Sequence, residues 1–105
     1  MFARHVSIKL KANSAPEFNR IIENEILPLL RKQKGFRDEI TFVTPERSLA
    51  LAISLWDTKA DAEAYNRAGY KEVLKGLSKV VEGTPKLETF EVANSTFYKG
   101  AAKTA

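Results

Sequence analysis

The sequence predicts an α+β domain of ferredoxin-like βαββαβ topology, with helices covering one face of a four-stranded antiparallel sheet. Three observations predict this fold. Apolar spacing switches between period two and period 3.6, the elements follow the order strand, helix, strand, strand, helix, strand, and no repeat or linker divides the chain. With 105 residues, of which 44% are hydrophobic, the chain is long enough for one core. We therefore expect a single domain over residues 1–97 and a flexible tail over residues 98–105.

The first part of the chain predicts a strand followed by a helix. Residues 2–11 alternate apolar and polar side chains, which is typical of a strand with one mainly apolar face. Residues 15–32 repeat apolar positions with the 3.6-residue period of a helix. Ser14 and Glu17 have the spacing of a capping box at its start. Pro28 lacks a backbone N–H, so we expect a kink about one turn before it.

The rest of the chain predicts a hairpin, an interrupted helix and a last strand. A short turn joins residues 36–44 to residues 49–56, so these two strands should pair antiparallel. The second of them is apolar on both faces, which is typical of a central strand that is covered on both sides. Residues 58–81 have helical spacing with an interruption at Gly69, and residues 86–94 predict the last strand.

Composition excludes several classes of site and partner. The chain has no Cys and one His, so we expect no metal and no cofactor. It has neither an N-terminal apolar leader nor the run of about 20 apolar residues that spans a bilayer, so we expect a cytoplasmic protein that does not bind membranes. The net charge is +4, but the strands lack the basic and aromatic alternation of a base-stacking sheet, and Asp38 and Glu39 would repel phosphate. We therefore expect no binding to nucleic acid.

Small side chains on two strands predict a cavity. On the first strand, Ala3 and Ser7 flank His5, and on the third strand small residues alternate through residues 50–54 before Trp56. We expect these small residues to lie on one face, with His5 and Trp56 as a polar and an aromatic wall. A second copy of the sheet would close this space by packing face to face, and it would also cover the second apolar face of the third strand.

Three segments carry a family resemblance. Residues 26–36 read ILPLLRKQKGF, residues 54–65 read SLWDTKADAEAY, and Thr84-Pro85 precedes the apolar positions of the last strand. They resemble the end of the first helix, the junction of third strand and helix, and the last strand of the antibiotic biosynthesis monooxygenase family of dimeric α/β barrels. The resemblance covers residues 2–96. It implies a homodimer formed through the sheets, with a pocket between sheet and helices in each subunit.

The resemblance also implies candidate site residues, because functional members of the family often use Asn, Trp and Tyr in the helical region after the third strand and on the facing sheet. We expect Trp56 and Tyr65 to bind the ring of a small aromatic ligand by stacking. Asn66 and Tyr70 are candidate catalytic residues. His5 is the candidate base for a phenolic proton, because its ordinary pKa lies near 6.5. Each of these side chains has a plainer interpretation as a packed or solvent-exposed residue.

Some family members oxygenate electron-rich polycyclic or quinol substrates without metal or flavin, others degrade haem, and many have no known activity. We expect a cofactor-independent monooxygenase-like protein that acts on a small aromatic, phenolic or quinol compound. The alternative is a non-catalytic dimeric protein for small-molecule binding or stress response. Haem degradation is not expected, because members with that activity use a histidine on the second helical segment and residues 70–81 contain none.

Overall fold

The computed structural model describes residues 1–96 and has one four-stranded sheet in the order β2-β3-β1-β4. All three strand pairings are antiparallel, which confirms the predicted topology. The elements are β1 (Phe2–Leu10), α1 (Ala15–Ile21), a π-helical segment (Ile22–Ile26), α2 (Leu27–Arg31), β2 (Phe36–Val43), β3 (Leu49–Trp56), α3 (Lys59–Arg67), α4 (Gly69–Leu77) and β4 (Val81–Glu91). The predicted tail over residues 98–105 lies outside the described residues. Within the described chain, no helix is long and apolar enough to cross a membrane.

The register between β1 and β3 decides which side chains face the helices. Phe2 lies opposite Trp56, Arg4 opposite Ser54, and the pairing continues without interruption along the strands. Directly opposed residues of an antiparallel pair share a face. The alternate positions of β1 that begin at Phe2 are buried, and with Ala50, Ser54 and Trp56 of β3 they form the sheet side of the core. Phe18 and Ile21 of α1 are fully buried against this layer.

The other face of the sheet is apolar and open. Ile40 and Phe42 of β2 and Phe90 of β4 are each about half exposed, and Leu49 of β3 is also exposed. Residues 92–95, which follow β4, border this face on one side. None of the described helices covers it, so within residues 1–96 this apolar surface of β3 lies on the side of the sheet opposite the helices.

Pro28 is preceded by a distortion of the first helix at the place where a kink was expected. A proline at this position cannot donate to the carbonyl oxygen one turn before it. The preceding residues form the π-helical segment, and the backbone N–H of Leu27 donates to the oxygen of Ile22, five residues earlier. The helix therefore continues through Pro28 with one wide turn. The side chains of Ile22 and Ile26 from this turn point toward the sheet and are buried.

The starts of α1 and α3 differ in whether a side chain caps the helix. The Thr58 side chain accepts a hydrogen bond of 3.1 Å from the backbone N–H of Asp61, which caps α3. The capping box at Ser14 is wrong, because the Ser14 side chain makes no cap hydrogen bond. Glu17 pairs instead with Arg20 one turn later, so its carboxylate is not available to the helix start.

The start of the last strand also differs from the prediction. β4 begins at Val81, so the second helical region is shorter than its apolar spacing indicated. Its pairing with β1 is irregular between Ser7 and Lys9. Gly83, at a φ of 69°, and Pro85, which has no N–H for the ladder, lie in this irregular stretch. The glycine and proline therefore mark a bulge inside β4.

Candidate functional site

The structure separates His5 from Trp56. His5 lies opposite Ile53 and Trp56 lies opposite Phe2, so the two side chains have opposite parity and face opposite sides of the sheet. The expectation that they line one pocket is wrong. His5 lies on the open face, where its Nδ1 is 3.9 Å from a carboxylate oxygen of Glu88.

The same parity corrects the predicted face of small residues. Ala52 and Ser54 of β3 face the helices, and their partners across the sheet are Val6 and Arg4 of β1. Ala3 lies opposite Leu55 and therefore belongs to the open face, with His5. The small residues of β3 thus leave room beneath the helices, whereas those of β1 do not contribute to that room.

A cavity of about 40 Å³ occupies this room between sheet and helices. Its walls are mainly aliphatic side chains from β1, the π-helical segment, α2 and α4. The polar or aromatic groups that line it are Arg4, Glu39, Ser54, Tyr65 and Tyr70. This set contains two of the predicted site residues, Tyr65 and Tyr70, and two charged residues, Arg4 and Glu39, that were not among the predicted site residues.

Arg4 is the first of these missed residues, and it is buried with only 3% of its surface exposed. Its guanidinium carbon lies 4.8 Å from the ring centroid of Tyr65 and 4.4 Å from that of Tyr70. Its Nη2 donates a hydrogen bond of 2.9 Å to Oδ1 of Asn66. Burial lowers the pKa of Arg4 and the two tyrosines oppose this effect, but a guanidinium keeps its proton in proteins.

This buried cation has no carboxylate partner in residues 1–96, since the ion pairs there involve other residues. The tyrosines do not neutralise it either. Burial raises the pKa of Tyr65 to about 12 and also raises the pKa of Tyr70, so both hydroxyls stay protonated near neutral pH. Arg4 therefore presents an unneutralised positive charge to the cavity.

The break between α3 and α4 brings the predicted residues Tyr65, Asn66 and Tyr70 together around Arg4. The two tyrosine rings are 6.0 Å apart, although they come from different helices. Gly69 makes this approach possible, because a Cβ at that position would lie 2.9 Å from the ring of Tyr65. The structure thus assembles this part of the predicted site, while the chemical roles of its members stay predictions.

Trp56 lies behind this group and has no exposed surface. Its ring stacks on Tyr65 with centroids 4.9 Å apart, and the ring of Phe36 meets it edge-on at 5.6 Å. Its Nε1 donates a hydrogen bond of 2.9 Å to the hydroxyl of Ser54. Trp56 is not part of the cavity wall, so any influence that it has on a ligand acts through Tyr65.

Glu39 is the second missed residue, and it brings a carboxyl group to the same cavity. Glu39 and Arg4 both pair with Ser54, from β2 and from β1, so the three form one row across the sheet. The hydroxyl of Thr41 donates a hydrogen bond of 2.6 Å to Glu39 Oε2. Burial raises the pKa of Glu39, the bond from Thr41 opposes this effect, and the charge of Asp38 adds to it.

Both missed residues left a signal in the sequence. Arg4 is the charged member of an otherwise apolar alternation that runs from Phe2 to Leu10. Glu39 shares the parity of Thr41 and Val43 on its strand. A charge in a core-facing position needs a compensating environment, which makes it a candidate for function.

The raised pKa of Glu39 predicts a pH-dependent effect on stability. The pKa of Glu39 in the folded chain lies above the reference value of 4.5, so the folded chain binds this proton more tightly than the unfolded chain does. As pH rises above 4.5 the proton is lost, and the free energy of unfolding falls. We expect Glu39→Gln to be more stable than the parent at pH 7, with a difference that shrinks toward pH 4.5. Urea unfolding across this range measures it. The exposed Glu91 serves as control, and an equal pH trend in Glu91→Gln would contradict the prediction.

No family model matches the sequence, and no curated protein matches it. Solved structures do match. A protein from Deinococcus radiodurans, provisionally named an antibiotic biosynthesis monooxygenase, is 15% identical with a TM-score of 0.74, over 90% of this chain and 95% of that chain. A monooxygenase from the ActVA-Orf6 gene of Streptomyces coelicolor, in complex with nanaomycin D, is 14% identical with a TM-score of 0.73, over 90% and 88%.

A variant of MhuD with two manganese protoporphyrin IX molecules in each active site also matches. It is 15% identical with a TM-score of 0.75, over 91% of this chain and 98% of that chain. At these identities the likeness is one of fold. The chain therefore shares the fold of the antibiotic biosynthesis monooxygenases, and the resemblance expected from the sequence is confirmed at that level.

Proposed function

We propose that this protein is a cofactor-independent monooxygenase-like enzyme that acts on a small aromatic compound with a phenol or quinol group. The observation that carries the proposal is the buried guanidinium of Arg4, which has no carboxylate partner in residues 1–96 and lies in a cavity with tyrosine walls. An electron-rich ring becomes a good electron donor to dioxygen after it loses a proton. A fixed cation in a dry site stabilises the resulting oxyanion strongly.

The overall reaction balances without another reductant. For a methylene group between aromatic rings, two C–H bonds break and one oxygen atom of O₂ becomes a carbonyl oxygen on that carbon. The other oxygen atom leaves as water with the two hydrogens, and the substrate supplies all the electrons. The protein has to bind the ring, remove a proton, stabilise the anion and exclude bulk water.

Two structures of the same fold support a ring ligand, since they hold nanaomycin D and a manganese protoporphyrin. A porphyrin iron fits this chain poorly, because the single imidazole, His5, lies on the other face of the sheet. The aromatic and cationic lining fits an oxygen-bearing aromatic ring better.

An aromatic ligand fits this cavity only if the cavity enlarges. Its volume of about 40 Å³ is well below the ~150 Å³ of a cavity that accepts benzene. Among the lining residues on α4, Tyr70 and Leu74 are only half-buried, whereas Val73 and Leu77 are buried. Tyr70 and Leu74 are therefore the side chains of α4 that move outward most easily when a ligand enters.

The open face of the sheet supports a homodimer. Exposed apolar patches of this kind mark interaction sites, and a second copy packed on Ile40, Phe42 and Phe90 would form the two-sheet barrel. Light scattering at micromolar concentration should give about twice the chain mass of 11.8 kDa. Phe42→Lys, which places a charge on the exposed apolar side of β2, should shift the protein toward monomer. A clean monomer for the parent would contradict the proposal.

Oxygen uptake with a panel of quinols and anthrones tests the activity. We expect uptake with at least one compound, a product that has gained one oxygen atom, and a rate about 100-fold lower in Arg4→Met because the oxyanion loses its cation. Arg20→Met, which removes an exposed arginine of α1, should leave the rate unchanged. Ligand binding without oxygen uptake would contradict the enzyme and favour the non-catalytic binding protein.

A further inference from the structure

We propose that Glu39 is the proton acceptor of this site and that it works opposite Arg4, which holds the negative charge that proton removal creates. The inference rests on the proposed function, since it names the base for that reaction. It replaces His5, which the parity of β1 places on the other face of the sheet.

The strand register separates the two charged groups by a defined distance. Glu39 and Arg4 flank Ser54 in one row across β2, β3 and β1. Adjacent strands lie about 4.8 Å apart, so the two Cα atoms are roughly 10 Å apart. Both side chains line the cavity, yet no ion pair between them forms among the described residues. A ligand that fills the space over Ser54 therefore meets a carboxyl group on one side and a guanidinium on the other.

The other ionisable groups of the cavity cannot take this role. Arg4 is a cation, and the hydroxyls of Tyr65 and Tyr70 are protonated near neutral pH. Ser54 is held by the indole N–H of Trp56. Of the described residues that line the cavity, this leaves the carboxylate of Glu39 as the base.

Glu39 also has a route to return the proton. Besides the inner cavity, it borders a second hollow at the surface, together with Arg31 of α2 and Arg37 and Asp38 of β2. A carboxyl group between an inner cavity and a solvent-facing hollow can take a proton from a ligand on one side and release it to water on the other. Burial and the neighbouring charge of Asp38 raise the pKa of Glu39, whereas the hydrogen bond from Thr41 opposes this effect.

The proposed step is a proton transfer without oxidation. A C–H or O–H bond of the ligand breaks, its electron pair stays on the ligand, and the charge collects on an oxygen atom next to Arg4. The proton forms a bond to an Oε atom of Glu39 and then passes to water. Because no oxygen is needed, this step can be measured under anaerobic conditions and apart from the oxygenation.

Deuterium exchange into anthrone in anaerobic D₂O, followed by mass spectrometry, provides the test. We expect the parent to accelerate exchange at the methylene carbon over buffer. Glu39→Gln should lower that acceleration by about 100-fold or more, and Glu39→Asp should recover part of it. Glu91→Gln, which changes an exposed carboxyl group of β4, should exchange like the parent. Circular dichroism of each variant confirms that it is folded.

The pH profile adds a readout that a purely structural role would not change. In the parent, the exchange rate should rise with pH as Glu39 ionises, with a midpoint above the ordinary value of 4.5. Burial, the hydrogen bond from Thr41 and the charge of Asp38 set this midpoint. The other charged or titratable groups that line the same two hollows are Arg31, Arg37, Tyr65, Tyr70 and Arg4. Glu39→Gln should lack this rise.

Three results would overturn the proposal: no exchange by the parent, equal exchange by Glu39→Gln, or loss of exchange in His5→Ala with Glu39 intact. The proposed function fails separately. Exchange that depends on Glu39 without any oxygen uptake supports the base and contradicts the monooxygenase. Oxygen uptake together with exchange that does not depend on Glu39 supports the monooxygenase and contradicts the role of Glu39 as the base.

Discussion

Within residues 1–96 the guanidinium of Arg4 is buried without a carboxylate partner, and this constrains the rest of the site. Removal of a cation from water carries a large penalty, which Arg4 offsets with one amide oxygen from Asn66 and with the faces of two tyrosine rings. These partners come from both α3 and α4, so the break between the helices and the close approach at Gly69 are needed to supply them. The stack of Trp56 on Tyr65 then fixes the Tyr65 ring in place.

Asn66 and the two tyrosine rings contact Arg4 but do not neutralise its positive charge. This remaining charge gives the site its chemical character. A carboxylate in contact with Arg4 would stabilise the fold and cancel the field in the cavity. The described chain places its nearest lining carboxyl group, Glu39, on the far side of Ser54 instead. A cation and a base that are kept apart in one cavity can separate a proton from the charge it leaves behind. The same sheet keeps its apolar open face, with His5, away from this chemistry.

The sequence predicted the topology, the bounds of β3 and the helix break, because these depend on local period and on Gly69 and Pro28. The sequence did not show which set of alternate residues of β3 faces the helices, because both faces of this strand are apolar. That ambiguity placed His5 and Trp56 together. The start of β4 at Val81 and the bulge at Gly83 and Pro85 were not predicted, because glycine and proline occur both after a helix and at a bulge in a strand. Tyr65, Asn66 and Tyr70 are predicted through the resemblance, whereas Arg4 is indicated only by the charge that it places in the apolar face of β1.

The ionisation of a bound phenol tests the role of Arg4 most directly. 4-Nitrophenol changes its absorption spectrum when it loses its proton, so its pKa can be read while it is bound to the protein. An apolar cavity alone would raise that pKa, because burial disfavours the phenolate, whereas an unneutralised guanidinium lowers it. We predict a lowered pKa in the parent and a smaller shift in Asn66→Asp, where a carboxylate replaces the amide that contacts Arg4. A raised pKa in the parent would contradict the account.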